Sequence, residues 1–335
     1  MDVFLLYRHI FFNRLPDNLI YYIIINMKCG YILYIFRTLY KKGVFKKMNE
    51  YVIFADTGCD IDPATLEKWG VKFASLTFKF DDSDVEYTSF EFPSKEFYDS
   101  MRSGRTARTS AVNIEIFKEE FEKELKKGND ILYLGLSSGI STTFNSGRVA
   151  VEELAAEYPD NKIIAVDTLA ASAGEGLLLY FAVEEKKKGA SIEEVANLIK
   201  ELAPKMCHWF TVEDLKYLKR GGRISPTAAL VGNALGIKPV LHVDDNGKLV
   251  NVSKIRGRKA TLKALADKYT ELAEDPENGV VYVCHADCID DVKQVEEMIY
   301  EKHGVKFSYV ADISPTVGAH AGPGTIAVFF IGKER

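Results

Sequence analysis

Residues 130–157 read D-I-L-Y-L-G-L-S-S-G-I-S-T-T-F-N-S-G-R-V-A-V-E-E-L-A-A-E. The first part is an apolar run with the length of one buried strand, and the last part repeats apolar residues at helical spacing. Between them lies a turn with five hydroxyl side chains: Ser137, Ser138, Ser141, Thr142 and Thr143. The stretch therefore predicts a strand, a hydroxyl-rich turn and a helix, which together form the repeating unit of an α/β fold.

The same alternation of short apolar runs and amphipathic segments continues on both sides of this stretch. It predicts strands and helices in turn: strands near 51–55, 71–80, 130–136 and 162–166, and helices near 63–69, 94–101, 114–125, 142–157, 172–188 and 191–203. Ser94 and Asn113 are the expected N-caps of two of these helices. Strands that alternate with helices form a largely parallel sheet, whose ligands bind at the carboxyl ends of the strands.

The pattern changes after Pro204. It predicts strands near 207–211, 240–243, 248–252, 280–285, 306–312 and 325–331, and helices near 213–219, 225–234, 258–273 and 290–303. The segment Asp244-Asp245-Asn246-Gly247 indicates a hairpin turn. We therefore predict two domains, 48–205 and 206–335, and a ligand in the cleft between them.

The first 47 residues differ from the rest in composition. They contain no Ala, Ser, Glu or Gln, and they carry eight Lys or Arg against two Asp or Glu, a net charge of +6. Lys28 and Arg37 interrupt the apolar stretch within the ~20 residues that a membrane span needs. A membrane helix, an N-terminal extension and translated upstream sequence are the three interpretations. Translated upstream sequence is favoured, because the first predicted strand begins just after Met48.

The composition of the whole chain excludes some classes of protein. The formal net charge of −5 gives no indication of nucleic-acid binding. Five cysteines without regular spacing argue against a disulfide framework and for a reducing compartment. Cys284-His285-Ala286-Asp287-Cys288 has no second Cys/His pair at zinc spacing, so a metal site is not predicted.

The hydroxyl-rich turn has three possible roles. It could be the nucleophile elbow of a serine hydrolase at Ser141, served by His285 or His320, although Thr143 stands where the elbow needs a second glycine. The hydroxyls could simply cap the following helix. They could also bind an anion together with backbone N–H groups at the helix start, which the number of hydroxyls favours.

Other polar residues could contribute to the same site. Thr109 and Ser110 are expected in the loop before a helix, where they could lie next to the hydroxyl-rich turn. His320 lies among Gly318, Gly322, Pro323 and Gly324, a composition that predicts a rigid turn into the last strand. The loop Arg220-Gly221-Gly222-Arg223 offers cations.

Taken together, these stretches resemble the DegV family of bacterial fatty-acid-binding proteins over residues 50–335. Five segments that match the family in order carry the resemblance: Asp56-Thr57-Gly58-Cys59-Asp60-Ile61, Thr109-Ser110, Ser137-Ser138-Gly139-Ile140-Ser141-Thr142-Thr143, Tyr217-Leu218-Lys219-Arg220-Gly221-Gly222-Arg223-Ile224-Ser225 and His320-Ala321-Gly322-Pro323-Gly324. Ala111-Val112 and Thr142 depart from the family pattern, which often has Gln-Pro and Gly at these positions.

The resemblance implies a two-domain DegV-like fold, with an N-terminal parallel-sheet α/β/α domain and a C-terminal α/β domain with a mixed sheet. One long-chain fatty acid of the palmitate, stearate or oleate class would lie in a tunnel between them. Its carboxylate would be held by hydroxyls of Thr109 and Ser141 beside His320, and Arg223 would belong to the surrounding polar network. The remaining candidate contacts are Ser110, Ser138 and Thr142.

The same resemblance implies a lipid-binding protein and not an enzyme. The chain would be a cytoplasmic carrier that presents the acid to a separate fatty acid kinase subunit for acyl-phosphate formation. It would need no cofactor, bind no nucleic acid and not insert stably into a membrane. The sequence contains no G-x-x-x-x-G-K-[ST] motif for nucleotide binding. A serine hydrolase with Ser141 as nucleophile is the alternative.

Overall fold

The computed structural model describes residues 50–225 and 236–335. The strands found there are β1 Tyr51–Asp56, β2 Val71–Ala74, β3 Thr77–Phe80, β4 Glu86–Thr88, β5 Ala107–Ser110, β6 Asp130–Gly135, β7 Ile163–Asp167, β8 Met206–Thr211, β9 Ile237–Val243, β10 Leu249–Arg256, β11 Tyr282–His285, β12 Tyr309–Asp312 and β13 Ile326–Ile331. The helices are α1 Pro63–Trp69, α2 Ser94–Arg102, α3 Ile114–Leu125, α4 Thr143–Glu157, α5 Ala173–Lys187, α6 Ile192–Leu202, α7 Lys216–Arg220, α8 Arg258–Leu272, α9 Ile289–His303 and α10 Pro315–Ala321.

The first sheet is parallel and has the strand order β2-β1-β6-β7. All residues of β6 are buried, as expected for a central strand of a sheet with helices on both faces. Phe117, Phe121 and Leu154 from α3 and α4 pack with Ile131 and Tyr133 on one face of this sheet. The turn of residues 136–142 follows the carboxyl end of β6, which is the edge where such sheets bind ligands.

A small antiparallel sheet with the order β4-β3-β5 lies beside the parallel one. Its core is aromatic, because the rings of Phe78 and Phe97 meet edge to face at a centroid distance of 5.1 Å, and Phe80 packs on both. In this sheet Phe78 of β3 is paired with Thr109 of β5. The pairing places Thr109 in a regular strand.

The third sheet has six strands in the order β10-β9-β8-β13-β11-β12. It is mixed, since β11 and β12 are parallel and the other neighbouring strands are antiparallel. Leu265 of α8 and Val295 of α9 pack against one face of this sheet. Phe210 and Phe329 project from the other face into a core that also contains Leu132 of the parallel sheet.

This shared core joins the three sheets, and residues Glu50–Arg335 form one compact unit. The expected fold class is confirmed: an N-terminal domain with a parallel sheet and a C-terminal domain with a mixed sheet. The boundary near residue 205, which lies just before β8, stays a prediction. The expected helix near 225–234 and the segment 1–47 lie outside the described residues.

Three local expectations are wrong. Thr109 and Ser110 lie in β5 and not in a loop, because β3 offers a pairing partner. The helix α2 begins at Ser94, and Pro93 before it provides no side-chain cap. His320 lies on the short helix α10 and not in a rigid turn, and the helix ends where Gly322 adopts a φ of 83°. Asn113 does cap α3 as expected, since its side chain accepts a hydrogen bond from the Ile116 N–H.

Candidate functional site

The largely apolar cavity that forms the candidate site has a volume of about 450 Å³. It lies between the carboxyl-terminal edge of the parallel sheet and the inner face of the six-stranded sheet. Its apolar lining comes from both halves of the chain: Leu76, Ala111, Leu136, Ile140, Ala171, Phe210, Leu218, Val243, Leu249, Ile313, Val317, Ala321, Ala327 and Phe329. A cavity of this kind suits a ligand with a substantial hydrophobic part.

Thr109, His320 and Arg223 lie close together in this cavity, and the part that they form is called its polar end below. Six of the seven residues predicted as ligand contacts line the cavity: Thr109, Ser138, Ser141, Thr142, Arg223 and His320. Ser110 does not, because adjacent residues of a strand point to opposite faces. Its exposed hydroxyl donates instead to Oε1 of Glu86, 3.3 Å away.

Thr109 and His320 form the central pair of the polar end, with 2.8 Å between Oγ1 and Nε2. Burial, together with the positive charges of Arg223 and Arg220, lowers the pKa of His320 to about 3, so its imidazole is neutral at physiological pH. Its other nitrogen, Nδ1, has no hydrogen-bond partner among the described residues. A Cβ on Gly221 would lie 2.2 Å from Nδ1, so a glycine is needed for the loop to pack on this ring.

Arg223 brings a positive charge to the same end. Its Nε donates to the carbonyl of Ile140 at 3.1 Å, and its Nη1 donates to the carbonyl of Gly221. Burial lowers the pKa of Arg223. Among the described residues no carboxylate forms an ion pair with it. Within the described part of the chain, its charge therefore faces the cavity without a neutralising carboxylate.

The hydroxyl-rich turn has structural roles as well. The Ser137 hydroxyl donates to the carbonyl of Gly247 at 2.8 Å and thereby ties the turn to the β9–β10 hairpin. Oγ of Ser141 accepts from the N–H of Thr143, the first residue of α4, at 3.2 Å, whereas the N-cap residue Thr142 makes no side-chain cap hydrogen bond. Ser141 thus satisfies one backbone N–H at the helix start and also lines the cavity.

Residues 56–61, the first of the five segments that resemble the family, form hydrogen bonds to segments that carry cavity residues. Asp56 accepts hydrogen bonds from the Tyr133 hydroxyl and from the Leu136 N–H, and it fixes the end of β6 where the turn begins. Asp60 accepts from the Ser172 hydroxyl and from the Ser314 N–H. Burial raises the pKa of Asp56 to about 6 and that of Asp60 to about 7. The motif connects segments that carry cavity residues, without itself lining the cavity.

Four polar residues of the cavity wall were not predicted: Ser172, His208, Thr316 and Thr325. His208 lies in β8, within the buried run M-C-H-W-F-T. A histidine within a largely apolar predicted strand is the feature of the sequence that could have indicated a cavity residue here. Ser172 and Thr316 are ordinary helix-start residues in sequence, and their position in the cavity follows from tertiary packing alone.

The contacts of Ser141 do not form a hydrolytic triad. Its hydroxyl donates to Oγ1 of Thr143 at 3.0 Å. Of the two histidines considered as general bases, His320 is paired with Thr109, and His285 lies 3.5 Å from Asp312. In the part of the chain that the structure describes, no group of three or more His, Cys, Asp or Glu side chains could hold a metal ion.

The fold and the cavity define a class: an α/β protein with a parallel-sheet domain, a mixed-sheet domain and an apolar cavity with one polar end. Residues 50–333 match the model of the DegV family of uncharacterised proteins, and the chain belongs to this family. The resemblance inferred from the five motifs is thus confirmed.

Several relatives extend this assignment. DegV domain-containing protein CPE0026 of Clostridium perfringens is 42% identical over 289 residues, which cover 86% of this chain and 99% of that protein. TM841 of Thermotoga maritima, whose structure reveals a fatty acid binding function, is 28% identical, with a TM-score of 0.71 and coverage of 85% and 99%. A stearic acid-binding protein from Eubacterium ventriosum is 25% identical, with a TM-score of 0.75 and coverage of 84% and 98%.

Proposed function

We propose that the protein binds one long-chain fatty acid, with the acyl chain in the apolar cavity and the carboxylate at the end formed by Thr109, Ser141, Arg223 and His320. The observation that carries this proposal is the combination of an apolar cavity with a hydroxyl–imidazole pair and a guanidinium that no carboxylate of the described residues neutralises. Solved family members that bind fatty acids support it.

The acyl chain would supply most of the affinity. A saturated C16 acid has about fourteen methylenes, each worth ~0.8 kcal/mol when buried, so the gross gain is on the order of 10 kcal/mol. Loss of motional freedom and ordering of side chains offset much of this gain. The polar end then decides which amphipathic molecule is accepted.

The carboxylate needs donors, because a buried charge without hydrogen bonds is very costly. When Nε2 of His320 carries the ring proton, the Thr109 hydroxyl accepts from it and is free to donate its own proton to a carboxylate. Arg223 adds positive charge, but two of its nitrogens already donate to backbone carbonyls. The head group is thus neutralised without a full bidentate clamp, which suits an acid that must be released again.

We infer a carrier role from the family resemblance. The acid would be presented to a separate kinase subunit that forms the acyl phosphate, since the chain has no G-x-x-x-x-G-K-[ST] motif of its own. The four cysteines of the described residues are all free, which supports the expectation of a reducing, cytoplasmic compartment. Within the same ranges, no helix is both long and apolar enough to cross a membrane.

Native mass spectrometry of the protein loaded with palmitate, stearate or oleate tests the proposal. We expect one acid per chain. Thr109→Val should weaken binding by about tenfold or more, because a hydrogen bond to a charged group contributes roughly 1.5–3 kcal/mol. Ser110→Ala is the matched control, since this neighbouring hydroxyl lies outside the cavity.

Two results would contradict the proposal. A wild-type protein that takes up no acid between C12 and C20 would refute fatty acid binding. Equal loss of affinity in Thr109→Val and Ser110→Ala would refute the assigned carboxylate end, because only one of the two hydroxyls faces the cavity.

A further inference from the structure

The cavity wall follows two neighbouring strands of the six-stranded sheet. Thr325, Ala327 and Phe329 line it from the β13 side, and Phe210 and His208 line it from β8. These positions alternate along each strand, as expected for one face of a sheet. From Thr325 to Phe329 the wall extends about 13 Å, at roughly 3.3 Å per residue.

The polar end lies at the start of this wall. The hydroxyl of Thr325 donates to the carbonyl of Ala321, the residue that follows His320. On the same face of β13, the residue after Phe329 is Ile331, and on β8 the residue before His208 is Met206; neither lines the cavity. Along β8 and β13 the wall therefore ends at the cross-strand pair of Phe329 and His208, whereas on the next strands, β9 and β10, Val243 and Leu249 continue it sideways.

Both rings of this pair are firmly held. They meet edge to face, with centroids 5.4 Å apart and planes at 87°. Nδ1 of His208 lies 3.0 Å from the Met206 carbonyl, to which it donates, and Nε2 accepts from the Ala171 N–H at 3.2 Å. Gly174 leaves the space for this ring, because a Cβ there would lie 2.3 Å from Nε2. Because both ring nitrogens of His208 already form hydrogen bonds, the ring is fixed in position and offers no hydrogen bond to a ligand.

We propose that the His208–Phe329 pair closes the cavity along β8 and β13 and sets the longest acyl chain that the protein accepts in this direction. This inference rests on the proposed function, because it assumes that the carboxylate lies beside Thr109 and His320. The acid would then extend along β13, past Ala327, until its terminal methyl group meets the two rings.

The order of residues along β13 makes the proposal specific. Phe329→Ala removes a ring at the end of the wall and should admit longer acids. Ala327→Leu adds bulk halfway along it and should exclude acids that the wild-type protein accepts. Each methylene that is gained or lost changes the affinity by about fourfold, so a change of two carbons alters the ratio of two acids on the order of tenfold.

Competition among saturated acids from C12 to C22, read by native mass spectrometry, tests the proposal. We expect the preferred length to increase by about two carbons in Phe329→Ala and to decrease in Ala327→Leu. Phe330→Ala is the matched control, because it removes an equally buried phenylalanine from the opposite face of β13. It should leave the preferred length unchanged, whatever its effect on thermal stability.

The outcomes separate this inference from the proposed function. If the wild-type protein binds acids but Phe329→Ala keeps the wild-type length profile, the end-wall assignment is wrong and fatty acid binding stands. If Phe329→Ala does not fold, an unchanged profile in Ala327→Leu refutes the assignment in the same way. A wild-type protein that binds no acid refutes both.

Discussion

Asp60 is a fully buried carboxyl, and among the described residues no cation pairs with it. It accepts hydrogen bonds from the Ser172 hydroxyl at 2.5 Å and from the Ser314 N–H at 3.0 Å. Burial raises the pKa of Asp60 from 3.8 to about 7. The carboxyl is therefore best accommodated when it is protonated, and its ionisation costs folding free energy.

The pH dependence of Asp60→Asn tests this assignment. A raised pKa in the folded state gives stability that is fully present below 3.8 and is lost as the pH rises to about 7. The lost contribution is on the order of 4 kcal/mol. We expect Asp60→Asn to be most destabilising, relative to wild type, near pH 4 and least destabilising near pH 8. Urea unfolding at both pH values measures the difference, and an equal penalty at both would contradict a protonated Asp60.

Single residues show what a sequence can reveal about a site. Thr109, Arg223 and His320 could be chosen before the structure, because they lie in motifs that resemble a known family. That Thr109 lines the cavity and Ser110 does not could not be predicted, since this depends on which face of β5 is turned toward the cavity. His208 is likewise a matter of tertiary structure, because its role comes from pairing with a residue more than a hundred positions away.

The β9–β10 hairpin contacts the hydroxyl-rich turn at close range. A Cβ on Gly139 would lie 2.5 Å from the carbonyl oxygen of Asn246 and 2.7 Å from that of Gly247. Val243 and Leu249, which flank the hairpin turn, line the cavity. The contact therefore holds one wall of the cavity in place.

Gly139→Ala should move the hydroxyl-rich turn away from the β9–β10 hairpin. The added methyl group would meet backbone atoms that cannot rotate away, and overpacking of this kind costs about 1–3 kcal/mol. We expect a lower melting temperature and faster release of a bound acid, measured by thermal unfolding and by exchange with a labelled acid. Asn246→Ala is the control, since it keeps the backbone carbonyl that Gly139 contacts. Unchanged release in Gly139→Ala would show that the hairpin does not retain the ligand.

Helices with clear local signals were predictable, and elements that depend on tertiary contacts were not. The helices α1 and α3 match their expected ranges, because their apolar residues repeat over several turns or follow a clear cap. The helix α10 was missed because seven residues with two neighbouring glycine signals look like a turn. The strand β4 was missed because its three residues depend on pairing with β3.

At the scale of the whole molecule, contacts over long sequence distances join the N-terminal and C-terminal halves. The Tyr309 hydroxyl lies 3.1 Å from Oδ2 of Asp62, to which it donates. The Tyr98 hydroxyl donates to the carbonyl of Ile313 at 2.7 Å, and hydroxyls of Ser89 and Thr316 lie 2.9 Å apart. Ile313 and Thr316 also line the cavity, as do residues of the N-terminal half, so a ligand there would contact both halves. The alternation of strands and helices predicts two domains but does not reveal this shared core.

Residues 1–47 are expected to be dispensable for folding and for fatty acid binding. The family match begins at residue 50 and the first strand at Tyr51, whereas the preceding segment carries a net charge of +6 and a different composition. A variant of residues 48–335 should have the same melting temperature as the full chain and bind one acid per chain. Thermal unfolding and native mass spectrometry measure both properties side by side.

A second truncation makes this comparison decisive. A variant of residues 55–335 also lacks most of β1, which pairs with both β2 and β6 in the parallel sheet. Loss of a central strand exposes the apolar faces of both neighbours, so this variant should not fold. If the 48–335 variant fails in the same way, residues 1–47 contribute to the folded protein, and their interpretation as translated upstream sequence is wrong.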